Sequence, residues 1–551
     1  MKCLLAQINT TVGDIDGNLR RSLDALAIAR ERGADLLVLP EQTIPGYPTK
    51  DLLTQASFIA RNQDALARFA PETASGPAAL IGYAEPHGGP GKGLYNSVAL
   101  CRGGVVEQVY RKMLLPTYDV FDEARYFDSG SDVSLFDIGG MTAAITVCED
   151  MWNDELYWSR RLYTRDPIAD SARAGGRLIL NLSASPYTIP KRRIRAAMIA
   201  SAARRHGAAI LQVNSVGGND DLIFDGGSVA FDGTGTMRAQ AASFIEDFVE
   251  VTVSSAGDAS PLVLAGRIVP EEAELEELRR ALVLGIRDYV GKCGFTQVLI
   301  GLSGGIDSAL VAVLAAEALG PANVHGVSMP SRYSSDHSKD DARQLAEALG
   351  ISYRTIPIEA MFSTALAVLT PHLGDPSRGA AAENMQSRLR GLTLMALSNS
   401  SGAMVLTTGN KSEMSVGYCT LYGDMCGGLA AIADVPKTIV YTLSRHINDT
   451  AGREVIPYNT IEKPPSAELA PGQKDTDSLP PYDVLDPIVR GHVEEGQDEE
   501  RLIALGHDAA TVRRVLRMIR LNEYKRRQAP PTLKVTSRAF GYGWRMPLAR
   551  K

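Results

Sequence analysis

Gln297-Val-Leu-Ile-Gly-Leu-Ser-Gly-Gly-Ile-Asp-Ser-Ala309 decides how the second half of the chain folds. Its apolar run 298–300 suits a buried parallel strand. Residues 309–319 are rich in Ala, Leu and Val, carry one charge at Glu317, and stop at Gly320, which reads as a helix with a glycine terminus. Between strand and helix stand Ser303, Gly304, Gly305, Ile306, Asp307 and Ser308. Glycines let backbone approach an anion, and amides and hydroxyls at a helix N-terminus face negative charge. A phosphate-binding turn is therefore expected from Gly301 and Leu302 through Ser308. No Gly-Lys-[Ser/Thr] ending is present, so no lysine of the turn reaches a terminal phosphate. Asp307 would repel phosphate unless a magnesium ion stood between them. An ordinary Gly-Ser turn is the plain alternative, and the order strand, turn, helix argues against it.

Outward from this turn, strand and helix patterns alternate: helix over 271–292, strand over 324–329, helix over 340–350, strand over 353–358. That alternation implies a doubly wound parallel sheet with ligands at the strand C-terminal ends. The aperiodic stretch 253–272, with Ser, Gly and Pro, reads as a linker between domains at 1–252 and 273–551. Length supports the division, since 551 residues exceed one core. A net charge of −7 gives no general attraction to nucleic acid or to an acidic membrane. No apolar run is long enough to span a bilayer, and the opening Met-Lys-Cys-Leu-Leu-Ala-Gln turns polar too soon for a signal peptide. Six scattered cysteines without a Cys-x-x-Cys pair point to reduced thiols in a cytoplasm. The eight histidines show no zinc spacing. Lys191-Arg192-Arg193-x-Arg195 opens a helix and suits salt bridges better than nucleic acid. Glu494, Glu495 and Asp498 to Glu500 read as a solvated helix surface. The Pro-rich stretch 463–481 is long for a plain loop and suits a mobile lid.

In the first half, a strand over 3–8 precedes a helix capped by Asn18. A strand over 35–40 ends on Glu41. Strands over 95–99 and 105–110 frame the hairpin turn Arg102-Gly103-Gly104 and deliver Lys112. A strand over 141–147 ends at Cys148. Three chemically distinct side chains thus share one kind of position, the end of a strand. A thiol is a weak nucleophile until a base takes its proton, and Glu41 is such a base. Lys112, with the amide of Glu149, can hold an oxyanion and protonate a departing amine. Taken singly, each residue has a plain reading: a buried cysteine is a small hydrophobe, and Glu and Lys are usually solvated.

The local strings Leu39-Pro40-Glu41, Tyr110-Arg-Lys112-Met-Leu-Leu-Pro116 and Val147-Cys148-Glu149-Asp150-Met-Trp152 resemble the nitrilase superfamily, over about residues 1–250. The resemblance implies a four-layer α/β/β/α sandwich and a Glu41–Lys112–Cys148 triad that cleaves C–N bonds through a thioester. It places Glu123 as a supporting second glutamate. It also sets Tyr118, Ser185 and Lys191, with Glu123 and Glu149, around a substrate glutamine. The turn at 301–308 resembles the pyrophosphate loop of the ATP-pyrophosphatase superfamily.

Further strings carry the resemblance to the NAD synthetases and, with the first half, to their glutamine-dependent bacterial members. They are Glu383-Asn384-Met-Gln-Ser-Arg388-Leu-Arg390, Val405-Leu-Thr-Thr408-Gly-Asn-Lys-Ser-Glu413, Val435-Pro-Lys437-Thr438, Lys463-Pro-Pro-Ser466-Ala-Glu468 and Glu523-Tyr-Lys525. By that resemblance Asp307 and Glu413 hold magnesium, Thr408 and Lys437 join the turn on ATP, and Asn384, Arg388, Glu413 and Lys525 contact deamido-NAD. It also implies a homo-oligomer. Leu421 and Gly428 stand where the shorter, ammonia-dependent members carry a lysine and an aspartate. Two alternatives stay open from sequence: another glutamine amidotransferase with a pyrophosphate loop, and a synthetase using free ammonia beside an inactive nitrilase-like scaffold.

Overall fold

The computed structural model describes residues 1–550 apart from 256, 258–259 and 374–378. The chain forms two compact units, Met1–Glu272 and Ala273–Lys551. In the first, β1 (Lys2–Gln7), β2 (Leu36–Val38), β3 (Ala78–Pro86), β4 (Leu94–Arg102) and β5 (Val105–Arg111) begin one sheet. A second holds β6 (Ser134–Ile138), β7 (Met141–Val147), β8 (Leu178–Ser183) and β9 (Ala209–Asn214). A hairpin of β10 (Val216–Asn219) and β11 (Leu222–Asp225) follows. β12 (Val229–Phe231) and β13 (Met237–Gln240) complete the second sheet, and β14 (Asp247–Ser254) and β15 (Val263–Gly266) return to the first. The orders are β15-β14-β1-β2-β3-β4-β5 and β13-β12-β9-β8-β7-β6.

Period-two alternation explains how these sheets stack. Cys3 and Leu5 of β1 meet Leu178, Leu180 and Leu182 of β8 in one core between the sheets. Leu4 and Ala6, on the other face of β1, pack with Leu19 and Leu26 of α1 (Ile15–Glu31) and Phe58 and Phe69 of α2 (Ala56–Phe69). Ile179 and Ile210 face outward from the second sheet. They join Ile168 of α3 (Pro167–Arg173) and Met198 and Ile199 of α4 (Lys191–His206). These three apolar layers define the expected α/β/β/α sandwich.

Gly103 and Gly104 have φ of +61° and +85°, which only a primed two-residue hairpin needs, and they close β4 onto β5 with Arg102 opposite Val105. The sequence misplaced one cap: Asp14, accepting from the Gly17 amide at 3.0 Å, caps α1. Asn18 lies in the first turn and donates to the carbonyls of Thr11 and Ile44. Within the stretch read as a linker, β15 pairs antiparallel with β14, Val251 opposite Gly266.

The second unit alternates as the sequence implies: α5 (Glu274–Lys292), β16 (Val298–Gly301), α6 (Ile306–Leu319), β17 (Val324–Ser328), α7 (Asp336–Leu349) and β18 (Ser352–Thr355). Then come α8 (Glu359–Leu373), α9 (Ala380–Ser401), β19 (Met404–Thr407), α10 (Lys411–Val416), β20 (Leu429–Ala430) and α11 (Lys437–Ala451). The sheet is parallel throughout, in the order β18-β17-β16-β19-β20. The chain starts at β16, winds to one side, then returns to place β19 on the other. The switch point of this doubly wound sheet therefore lies between the C-terminal ends of β16 and β19. Among the described residues no helix is long and apolar enough to cross a membrane.

Candidate active sites

Strand ends bring the first cluster together. Glu41 follows β2, Lys112 follows β5, and Cys148 follows β7, all three buried. The Lys112 ammonium donates to Glu41 Oε1 at 2.8 Å and to Glu123 Oε1 and Oε2 at 2.8 and 2.9 Å. The Ala184 amide donates to Glu41 Oε2 at 3.0 Å, and the Tyr47 hydroxyl donates to Glu123 Oε1 at 2.9 Å. Burial alone would pull the Lys112 ammonium down, but the Glu123 and Glu41 carboxylates outweigh it and hold it well above its ordinary value. Lysine here is a fixed cation.

Cys148 opens a short turn at the end of β7 with φ +39°, a left-handed conformation that a side chain with a Cβ enters only at a cost. Asp150 holds that turn. Its Oδ2 accepts from the Val147 amide and the Tyr110 hydroxyl, and its Oδ1 accepts from the amides of Met113 and Leu114. One carboxylate thus ties the cysteine turn to the segment that carries Lys112. Burial, with Glu41 close by, raises the Cys148 thiol well above its ordinary value. The thiol is therefore held protonated by burial and by the carboxylate charge of Glu41.

Around this cluster the Tyr118 hydroxyl donates to both Glu149 oxygens at 3.0 Å, and Tyr163 donates to Oε1 at 3.0 Å. Tyr118 meets Phe121 edge to face, and the Lys191 ammonium lies 5.7 Å from the Phe121 ring and 5.3 Å from that of Trp152. Ser185, just beyond β8, is buried and its hydroxyl has no hydrogen-bond partner. A buried hydroxyl left unsatisfied beside Ala184, which binds Glu41, suits a polar ligand. Arg195 of the basic cluster makes a buried two-point pair with Asp225, at 3.1 and 2.8 Å.

The second cluster lies at the switch point. Gly304 has φ +78°, and a Cβ there would come within 2.2 Å of the Ser338 carbonyl, so only glycine fits. Ser308 Oγ donates to the Gly305 carbonyl at 3.0 Å and accepts from the Ser303 amide at 3.3 Å, while the Gly305 amide donates to Ser303 Oγ at 3.1 Å. The turn is shaped by its own hydroxyls.

Asp307, in the first turn of α6, accepts from Asn410 Nδ2 at 2.9 Å and from the Lys437 ammonium. That ammonium also donates to Glu413 Oε1 at 3.4 Å. Asn410 caps α10 in a box with Glu413, its Oδ1 accepting from the Glu413 amide and its own amide donating to Glu413 Oε2. Burial opposes charge on Lys437, but Asp307 and Glu413 outweigh it and keep the lysine protonated. Two carboxylates that converge on one cation, beside a phosphate-type turn, form a donor set that fits magnesium. Thr408 follows β19 at the same switch point.

The remaining predicted residues, two on α9 and one near the C-terminus, converge on the loop 417–421. Asn384 accepts from the Thr420 hydroxyl at 2.7 Å, Arg388 donates to the Leu421 carbonyl at 3.2 Å, and Lys525 donates to the carbonyls of Gly417 and Cys419. The stretch 463–481 is docked: Glu468 accepts from Ser335 and Ser338, and the Leu469 carbonyl accepts from Gln386. Glu494 corrects a sequence expectation. It is not simply solvated but pairs at 2.8 Å with Lys411, whose side chain is buried.

Comparison with known proteins follows the same two-part division. Residues 5–259 match the carbon-nitrogen hydrolase family, and residues 278–529 match NAD synthase. A glutamine-dependent NAD(+) synthetase of Synechocystis is 48% identical, over 99% of this chain and 98% of its own. One of Thermotoga maritima is 42% identical over 100% and 99%. The solved glutamine-dependent NAD+ synthetase of Acinetobacter baumannii, in complex with adenosine diphosphate, is 36% identical with a TM-score of 0.78, covering 99% and 98%. Similar from end to end to such relatives, and carrying both family matches in the same order, the chain belongs to the glutamine-dependent NAD(+) synthetases.

Proposed function

We propose that the two units divide one synthesis between them, and that the convergence of Glu41, Lys112 and Glu123 beside Cys148 carries the reading of the first. Glutamine enters against Tyr118, Ser185, Lys191, Glu123 and Glu149. The Cys148 thiol passes its proton to Glu41 and the sulfur attacks the side-chain carboxamide carbon. Lys112 and the Glu149 amide steady the oxyanion. The C–N bond breaks and the amine leaves with the proton from Glu41, in place of the Lys112 expected from sequence, because Glu123 and Glu41 hold that lysine charged; a thioester to Cys148 remains. Water then attacks the thioester, releasing glutamate and restoring the thiol. A free thiol at Cys148 suits a reducing cytoplasm.

In the second unit, ATP lies on the 301–308 turn with Thr408 and Lys437 on its phosphates. Deamido-NAD meets Asn384, Arg388, Glu413 and Lys525. The nicotinate carboxylate attacks the α-phosphorus and pyrophosphate leaves. Ammonia then attacks the acyl adenylate, AMP leaves, and the amide of NAD forms. Asp307 and Glu413 would hold magnesium, which supplies positive charge against the phosphates. This makes the chain a ligase that uses glutamine as its amide donor.

The test is product stoichiometry. Purified protein with ATP, magnesium, glutamine and deamido-NAD is expected to yield NAD, glutamate, AMP and pyrophosphate in equal amounts. Release of ADP and phosphate in place of AMP and pyrophosphate would overturn the adenylate route.

A further inference from the structure

We infer that Asn96 is a positioning residue of the thiol site, its side-chain amide joining Glu41 to Glu123 so that Glu41 stays ready to receive the Cys148 proton. The inference rests on the glutaminase reading of the first unit.

Asn96 lies on β4 and is 1% exposed. By strand periodicity it shares a face with Val98 and Leu100, both in the core between the sheets. A polar side chain there is costly unless its hydrogen bonds are made. Its Nδ2 donates to Glu41 Oε1 at 2.7 Å and to Glu123 Oε2 at 3.3 Å. Its main-chain carbonyl accepts from the Lys112 amide at 2.9 Å. One residue is thus bonded to the base, to the supporting glutamate and to the backbone of the lysine. Facing carboxylates only accept, so the NH₂ end of the amide must point at them. Its Oδ1 is left without a partner, a cost borne on the opposite side of the amide.

Charge explains the need. Glu41, Glu123 and Lys112 together carry one surplus negative charge when all are ionised. Cys148 faces Glu41 as well, with Glu149 beyond it, and neither supplies a cation. Neutral donors must offset the surplus: the Ala184 amide on Glu41, the Tyr47 hydroxyl on Glu123, and Asn96. Among the described residues Asn96 is the neutral side chain that donates to both carboxylates. Without it the pair takes up a proton more readily, and a protonated Glu41 cannot receive another.

The experiment follows glutamine hydrolysis by the full chain across pH, for Asn96→Leu and the smaller-volume Asn96→Ser. The acid limb of kcat is expected to move up by about one pH unit, the effect of removing a hydrogen bond to a charged group. KM for glutamine should stay within about twofold, because the amide faces the carboxylates. A purely structural role would lower activity by one factor at every pH, and a limb that stays in place in both variants overturns the inference. If the unaltered chain hydrolyses no glutamine, the glutaminase reading itself fails. Asn96 is then judged by the pH dependence of Cys148 alkylation with iodoacetamide, followed by mass spectrometry. An upward shift of that limb in the variants supports the role, and none overturns it.

Discussion

Each candidate site places a lysine between two carboxylates, and the two sets differ in their access to solvent. The Lys112, Glu41 and Glu123 side chains are 0, 0 and 6% exposed, whereas those of Lys437, Asp307 and Glu413 are 3, 18 and 17% exposed. The first set is closed by further protein donors from Asn96, Tyr47 and Ala184. The second is braced by Asn410 and keeps carboxylate edges toward solvent. The same charges therefore serve two purposes. On the proposed function, the sealed set serves proton transfer, while the open one exchanges its lysine for a cation and offers that lysine to phosphate.

The hardest test of this contrast is Cys148→Ala. Removing the proposed nucleophile should cut glutamine-driven NAD synthesis by about 10³-fold or more, yet leave synthesis from added ammonium. Loss of both in a folded variant would break the division of labour.

Stability sharpens the comparison next. Lys112→Met strands two sealed carboxylates and should cost about 3–5 kcal/mol. Lys437→Met, whose carboxylates can reach water, should cost about 1–2 kcal/mol. Urea denaturation of the full chain measures both, and equal losses would erase the distinction.

On the open side, Asp307→Asn or Glu413→Gln should lower synthesis about 10²-fold with either nitrogen source, since phosphate charge is left unneutralised. Near-normal ammonium-driven activity would remove that residue from the cation site.

The last prediction is one of pH. Burial pushes the Glu149 carboxyl up to about 7 from its ordinary 4.5. A raised carboxyl contributes stability that is whole below about pH 4.5 and is lost as pH rises through 7. Glu149→Gln cannot ionise, so it should remove a slope of about 3 kcal/mol over that window. Urea midpoints at pH 5 and 8, read from tryptophan fluorescence, would show it. A slope unchanged by the substitution would assign it to other groups.

Much of both sites was legible because strand ends are legible. Apolar runs closed by Glu41 and Cys148, and a glycine hairpin that delivers Lys112, place those residues without any knowledge of tertiary contacts. The Ser303–Ser308 turn is local in the same way. Residues that act across the fold were harder to see. Asn96 sits in mid-strand, and its one signal is a polar residue on a face shared with Val98 and Leu100. Asn410 could have been found as a helix cap three residues before Glu413. Its bond to Asp307 spans 103 positions and leaves no trace in spacing. Glu494 misled for the same reason: an acidic run looks solvated until Lys411, distant in sequence, is seen against it.

The antiparallel pairing of β15 with β14 bears on how the chain can be cut. A chain ended at 252 would lose β15 and the last two residues of β14, and Val251 and Thr252 would lose their partners, extending the row of bare amides and carbonyls that begins at Asp247. Such a row is a template for another copy, and the shortened chain should associate edge to edge. One ended at 272 keeps the covering strand. Light scattering of the two truncated chains at equal concentration would reveal the difference, and equal scattering would mean that β15 does not guard the edge.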